Sequence, residues 1–465
     1  MQLSADLQTW GLDGTHLFCC VTDTASNMNA FGISVSYWPT APFIRHHYCA
    51  DHVLQLTAVK AFSGEIESSI PHLFLDNQDT TVVAVKKARA LVTFFHSSSR
   101  ASDKLCDAQQ ALDPSCIPLK LLSDVKTRWW STHTLLERVL CLKDALNYVF
   151  DNEFRFRNEV NTLTTLESMR LTDEDFQSLH NVLYVLTPFK DAQKALEGEQ
   201  YVNISLSPLA INNLHTSLSN CEASVDQETE GNLYQLIQTM IDDFNSRWGE
   251  RCIYLSSTVR GFRNRQIGIP TYAFWATALD PRTKKKLSKV LNQQDIALLW
   301  HDIEQAILRL INLIPNNNML QEEEEEPAAP INAVNCILNN NNNFLADSDD
   351  EEDEENSTVH VSIDDTVNAE LWNYRAEKGQ SLYSRGDTGG SFNDPLVWWK
   401  LHADKYPHVW KLASIVLAIP ATSAPSERVF SAAANIVNKK RVRLKSENVD
   451  LLVFLKANKQ FVDWE

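Results

Sequence analysis

At 465 residues the chain is too long for one ordinary core, and its 44% apolar content is enough for two or three globular domains. Nine cysteines, an odd number without a Cys-x-x-Cys pair, exclude a secreted disulfide framework and suit reduced thiols. No apolar stretch approaches the ~20 residues of a membrane span and the start has no basic-then-apolar signal pattern, so a soluble intracellular protein with no membrane partner is expected.

The net charge of −18 argues against a nucleic-acid partner until its distribution is read. Glu322–Glu326 and Asp347–Glu355 hold 5 and 8 acids and no bases, and without them the chain carries only −5. A basic face on the folded part is compatible with that remainder.

In chain order, residues 16–22 form a short β-favouring run that ends on Asp23. A second extended segment, Phe43–Tyr48, leads into an amphipathic helix over Asp51–Phe62. From there to about residue 315 the period is helical. Leu233, Ile237, Met240, Ile241, Phe244 and Trp248 fall on one helix face; Leu179, Val182, Leu183, Leu186 and Phe189 repeat the pattern, and Ile296–Ile314 is another such segment. Residues 316–369, with Asn runs and both acidic runs, cannot bury enough apolar surface to offset chain entropy and are expected to be disordered, as a solvated linker or a regulatory acidic tail. Order resumes near Asp394. Helices are predicted from Trp398 and Trp399, over Pro407–Ile419, from an N-cap at Ser423 to about Val437, and from a cap at Ser446.

Several residues could carry chemistry. Asp23, at the end of an apolar strand, is either a turn residue or a rigidly held carboxylate of the kind a two-metal site requires. Glu427, in a helix first turn, either complements the dipole or faces a reaction centre. His46, His47, Cys49 and His52 contain enough donors for zinc, yet the first two are adjacent and no second cysteine pair completes a usual spacing, so packing and site positioning account for them better. Asp280 with Pro281 reads as a turn. Lys439, Lys440, Arg441, Arg443 and Lys445 form the one dense basic cluster, open to three readings: phosphate contact, nuclear address or solvated loop. Lys284–Lys286 is a weaker case.

The string Val21-Thr22-Asp23-Thr24-Ala25-Ser26-Asn27-Met28 resembles the second catalytic-acid motif of hAT-superfamily transposases. Ser423-Ala424-Pro425-Ser426-Glu427-Arg428-Val429-Phe430-Ser431 is similar to their signature around the last catalytic acid. Arg45–Leu56 looks like the Cys-x-x-His segment, Asp124–Thr132 like the Arg-Trp motif, and Ala278–Arg282 like the Leu-Asp-Pro-Arg element, all in the family's order. The resemblance implies an α/β plus all-α chain, with an incomplete ribonuclease H-like core interrupted by a large helical insertion domain. Its divisions are 1–62, partial core with the Asp23 strand; 63–315, helical insertion; 316–369, disordered linker; 370–391, connector; and 392–460, the C-terminal dimerisation region that completes the core.

The same resemblance makes Asp23 and Glu427 the family's acids and the ligands of Mg²⁺ if the chain is catalytic. It gives Trp129 a role stacking on an unpaired base, with core packing as the alternative, and leaves Arg128 for a phosphate. Nucleic-acid contact is expected from Arg128, Trp129, Lys439, Lys440, Arg441 and Arg443, and self-association from Trp398, Trp399, Phe430 and Phe454. Only 22 residues precede Asp23, so no counterpart of the first-strand acid or of the usual BED finger is expected; Asp6 and Asp13 fall on a helix and its exit loop. Three readings follow: a nuclear, transposase-derived homodimer or larger oligomer that binds DNA without cutting it; a truncated version of an active Mg²⁺-dependent transposase; or a helical scaffold that binds proteins.

Overall fold

The computed structural model describes residues 2–9, 11–12, 17–36, 45–62, 80–123, 131–152, 168–228, 230–249, 254, 268–313, 362–383, 392–437 and 444–459. After α1 (Gln2–Thr9), the β-favouring runs form β1 (Cys19–Thr22) and β2 (Arg45–Tyr48), paired in parallel with Val21 opposite His47. A parallel pair needs a crossover, and the chain between the strands carries α2 (Ser26–Ser36). Gly32 lets α2 approach the sheet, because a Cβ there would overlap the His46 ring. Among the described residues these two strands are the whole sheet.

Apart from loops and an isolated Tyr383–Phe392 bridge, the rest of the described residues are helical. α3 (Ala50–Phe62), α4 (Thr80–Ser97), α5 (Ser99–Leu112), α6 (Ser131–Cys141) and α7 (Lys143–Asn152) are followed by the long α8 (Asp173–Leu196). A capping box, in which Thr172 and Asp175 exchange hydrogen bonds, starts α8. Its row of Phe176, Leu179, Val182, Leu186 and Phe189 is buried, and α3, α4, α6 and α9 (Ser207–Ser224) pack around it. The apolar row predicted from Leu233 to Trp248 lies on α10 (Gly231–Trp248), where Leu233, Ile237, Met240, Phe244 and Trp248 are buried and the helix packs on α3.

α11 (Thr271–Leu279), α12 (Gln293–Leu313), α13 (Ile363–Ala376), α14 (Pro395–His402) and α15 (Pro407–Leu417) pack on one another and continue the same hydrophobic core. Here the expected linker ends early. A helix stands at Ile363–Ala376, where the linker is expected to run to 369 and order to resume only near Asp394, because Asp364 and Asp365 are first-turn acids of α13, capped by Ser362, while Val367, Leu371 and Tyr374 are buried. Residues 314–361, which hold both acidic runs, lie outside the described residues. The chain continues through α16 (Ala424–Ile436) to α17 (Ser446–Ala457). Ser423 occupies the N-cap position of α16 as predicted, and Lys445 rather than Ser446 that of α17, but neither side chain makes a capping hydrogen bond.

The Asp280 turn is also more than a turn. Asp280 and Arg282 side chains are both 0% exposed and form an ion pair at 2.7 Å. Ser205 Oγ donates to Asp280 at 2.5 Å, and Arg282 donates to the carbonyls of Val202 and Asn393, each at 2.8 Å. One guanidinium thus clips three distant segments together. Among the described residues no helix is long and apolar enough to cross a membrane.

Candidate functional site

The exit of β1 and the start of α3 are tied by the Cys49 N–H, which donates to Thr22 O at 2.7 Å. The same α3 start receives the segment before α16. Ala50 N–H donates to Ala421 O at 3.1 Å, and Ser423 N–H to Cys49 Sγ at 3.2 Å. Residues 374 apart in sequence therefore meet within one turn of helix. Burial and the Asp51 charge push the Cys49 thiol up to about 11, so it accepts this bond as a neutral thiol.

His52 stands at the centre of the corner. Its Nε2 shares a hydrogen bond of 2.9 Å with Thr24 Oγ1, in the loop just past Asp23. Burial lowers its basicity most, while the Asp23 and Glu427 carboxylates both oppose that shift, and Arg247 adds to it. Two acids that are 404 positions apart in sequence thus act on one imidazole. Each is also committed locally. Asp23 Oδ1 accepts from Ala25 N–H at 3.0 Å, and Glu427 Oε1 from Ser423 Oγ at 3.1 Å.

A third carboxyl stands beside them. Asp51 is 2% exposed, and neither of its oxygens has a hydrogen-bond partner. Burial raises its pKa well above the usual range, and the neighbouring Glu197 and Glu427 add to the shift against the opposing Arg428. Arg428 fixes the first turn of α16 to the end of α8. It donates to Glu197 O at 2.9 Å and pairs with the Glu197 and Glu199 carboxylates. His47 is fully buried next door, hydrogen bonded to Tyr272 Oη, and its imidazole is held neutral with a pKa lowered to about 3, chiefly by burial.

The corner concentrates acids around one neutral imidazole. A hard divalent ion needs several oxygen ligands, and a two-ion site needs more. Among the described residues no group of three or more His, Cys, Asp or Glu is disposed to hold an ion. The side chains in view do not make a two-ion set, so no catalytic step is drawn through Mg²⁺. His46 and His52 are hydrogen bonded to Thr22 and Thr24.

The other expected site residues fall differently. Trp399 is no surface residue: it is 0% exposed, donates from Nε1 to Leu279 O at 2.8 Å and stacks on Tyr374. Its apolar bulk fills the chain's own core, so it is withdrawn from the self-association surface. Trp398 is half-buried and stacked on His402. Phe430 and Phe454, by contrast, are 73% and 63% exposed. Arg128, Trp129, Lys439, Lys440, Arg441 and Arg443 lie outside the described residues. Sequence reading missed Asp51, Glu197 and Arg428 as members of the corner. Asp51 carried a faint signal, as an acid between the Cys49 and His52 of one motif, but a first-turn acid has an ordinary explanation.

Comparison with known proteins places the ends of this corner in recognised regions. Residues 377–458 match the hAT family C-terminal dimerisation region, and residues 48–174 match the ZBED1 RNase-like helical domain. Zinc finger BED domain-containing protein 4 of Homo sapiens is 24% identical over 384 residues, 80% of this chain and 27% of that protein. Putative AC transposase of Zea mays is 24% identical over 436 residues, 88% of this chain and 44% of that protein. Putative AC9 transposase of Zea mays is 30% identical over 115 residues, 22% of this chain and 14% of that protein. The chain spans less than half the length of the curated relatives it matches.

Proposed function

We propose that this chain, which belongs to the hAT transposase and ZBED-like proteins, is a nuclear, self-associating DNA-binding protein that does not by itself cut or join DNA strands. The observation that carries the self-association is the α16–α17 pair. It lies inside the matched dimerisation region, α17 buries no residue of its own, and Phe430 and Phe454 stand in solvent. DNA binding is supported by the transposase relatives and by the basic cluster Lys439–Lys445, whose contacts to phosphate would be salt-sensitive. Nuclear residence follows from that partner, and the same cluster would serve as its address.

The catalytic part of the proposal rests on ligand number. Asp23 and Glu427 both bear electrostatically on one imidazole, but two acids with locally engaged oxygens cannot hold two ions in line with attacking and leaving oxygens. The test is Mg²⁺- or Mn²⁺-dependent nicking of terminal-repeat DNA by this polypeptide, compared with Asp23→Ala and Glu427→Ala. No cleavage above background is expected from any of the three. Cleavage by the parent that both substitutions abolish would overturn the proposal. It would favour the second reading, a Mg²⁺-dependent transposase with a third acid from elsewhere, for which the electrostatic influence of both Asp23 and Glu427 on His52 is the supporting observation.

A further inference from the structure

We infer that the pocket between α3 and the last turn of α10 is a binding site for an uncharged, mostly apolar small molecule that carries a hydrogen-bond acceptor. The inference is independent of the self-association and DNA readings. The pocket has a volume of about 420 Å³, within the range of small-molecule sites. Protein interiors are close-packed, and a space of this size is far larger than the gaps ordinary packing leaves. Val53 and Leu56 of α3, with Ile204, Ile269 and Pro270, give it apolar walls. Thr24, Ala50 and Ala421 also line it, so it adjoins the corner.

The end of α10 shapes the polar side. Gly249 closes that helix at a φ of 87°, and its N–H donates to Asn245 O at 2.8 Å. Gly268 returns to the same turn: its φ of +95° suits glycine, and its N–H donates to Arg247 O at 2.8 Å. This return brings Ile269 and Pro270 to the pocket just ahead of α11. Trp248, last of the apolar row on α10, and Ser207, at the start of α9, line the pocket and are 8% and 5% exposed. Among the described residues neither Trp248 Nε1 nor Ser207 Oγ has a hydrogen-bond partner. Buried polar groups are nearly always paired, and two unpaired ones on one pocket point to a ligand that pairs them. An indole N–H can only donate, so the matching group is an acceptor.

Charge narrows the ligand class further. Among the described residues that line the pocket, the charged side chains are Asp243 and Arg247, and they are engaged with each other. Arg247 Nε and Nη2 donate to the two Asp243 carboxylate oxygens at 2.7 and 3.1 Å. Asp243 is 3% exposed, so opening the pair would strand a buried charge. His47, on the same lining, is held neutral by burial. A charged ligand would therefore leave water without meeting a counter-ion. A neutral one loses little hydration, buries its apolar body against α3 and residues 269–270, and offers its acceptor to Trp248 or Ser207.

The probes are flat molecules of matched shape: 2-acetylnaphthalene; 2-isopropenylnaphthalene, in which a methylene replaces the carbonyl oxygen; and 2-naphthoate, an anion. Equilibrium dialysis reads their affinity for the full chain and for Trp248→Phe, Ser207→Ala and Leu56→Trp, each checked for folding by circular dichroism. 2-Acetylnaphthalene should bind the wild type with a dissociation constant below about 1 mM, about tenfold more tightly than either of the others. Trp248→Phe keeps a ring and removes the N–H. That change, or Ser207→Ala, should erase most of the preference for the carbonyl while leaving the affinity for 2-isopropenylnaphthalene within about twofold. Leu56→Trp fills the pocket and should abolish binding of both neutral probes. A wild type that binds none of the probes, or binds the ketone and the hydrocarbon equally, would overturn the inference without recourse to a variant. So would a carbonyl preference that survives both Trp248→Phe and Ser207→Ala, or binding that a folded Leu56→Trp leaves unchanged.

Discussion

Replacing Arg282 by Met strands the Asp280 carboxylate in a place where neither side chain meets solvent. Breaking a buried ion pair from one side costs about 3–5 kcal/mol, because an uncompensated charge remains. The carbonyls of Val202 and Asn393 lose their donor as well, at about 1–3 kcal/mol for each that stays buried and unpaired. Asp280→Leu alone should also cost about 3–5 kcal/mol, with Arg282 left charged. The double replacement removes both charges and leaves mainly the two orphaned carbonyls, roughly 2–6 kcal/mol. It should therefore be no worse than Arg282→Met, with a coupling of at least about 2 kcal/mol in the cycle. A chain of this size need not unfold in one step, so the measurement is local: hydrogen exchange over 202–206, 278–284 and 392–394, with urea unfolding as the global check. Costs that simply add in the double variant would refute the claim that one buried pair clips these three segments.

Asp51→Leu should stabilise the chain at neutral pH by about 1–3 kcal/mol, because it removes two buried unpaired oxygens. The folded Asp51 holds its proton above the unfolded pKa of 3.8, so the parent loses stability as pH rises from there, and urea midpoints of Asp51→Leu should lack that decline. His47 has the opposite sign. Its folded pKa is depressed to about 3, so its contribution is complete above about 6.5 and is lost as pH falls toward 3, by at most about 1.4 kcal/mol per unit. His47→Gln should flatten acid unfolding in that window; an unchanged slope would assign acid lability elsewhere.

The helical body was legible because its signal is local. The row from Leu233 to Trp248 repeats at helical spacing, and the structure buries all its members but the half-buried Ile241. The short strands were legible from β-favouring runs that stop at Asp23 and Tyr48. The linker boundary was misread because composition cannot separate an acidic run from the acidic first turn of α13, where Asp364 and Asp365 sit beside a cap. Trp399 was misplaced for a related reason. A tryptophan pair on a short helix signals a large apolar payload, but which neighbour receives it depends on Tyr374, Trp410 and the Leu279 carbonyl, all remote in sequence. Asp51 could not be found as an unpaired buried acid from sequence, since its partnerless state depends on the packing of α3 against the distant α8.

That packing sets a constraint on any nucleic acid at the corner. Asp23 and Glu427 bear electrostatically on His52, and Glu197 and Glu427 on Asp51, while Arg428 is already engaged by Glu197 and Glu199 and Arg247 is paired with Asp243. A phosphate approaching this cluster meets repulsion of about 1 kcal/mol per charge pair at 4 Å even in bulk water, and more beside a low-dielectric wall. The folded corner cannot therefore be the origin of the proposed DNA affinity. Attraction has to come from bases elsewhere in the chain, of which Lys439–Lys445 is the densest run, and the corner becomes compatible with a phosphate only when a cation or additional basic groups offset its charge. Binding and any strand chemistry are on this account separable properties of the chain. A change that neutralises the basic cluster should weaken DNA binding while leaving the corner intact. One that neutralises Glu427 should leave binding equal or stronger.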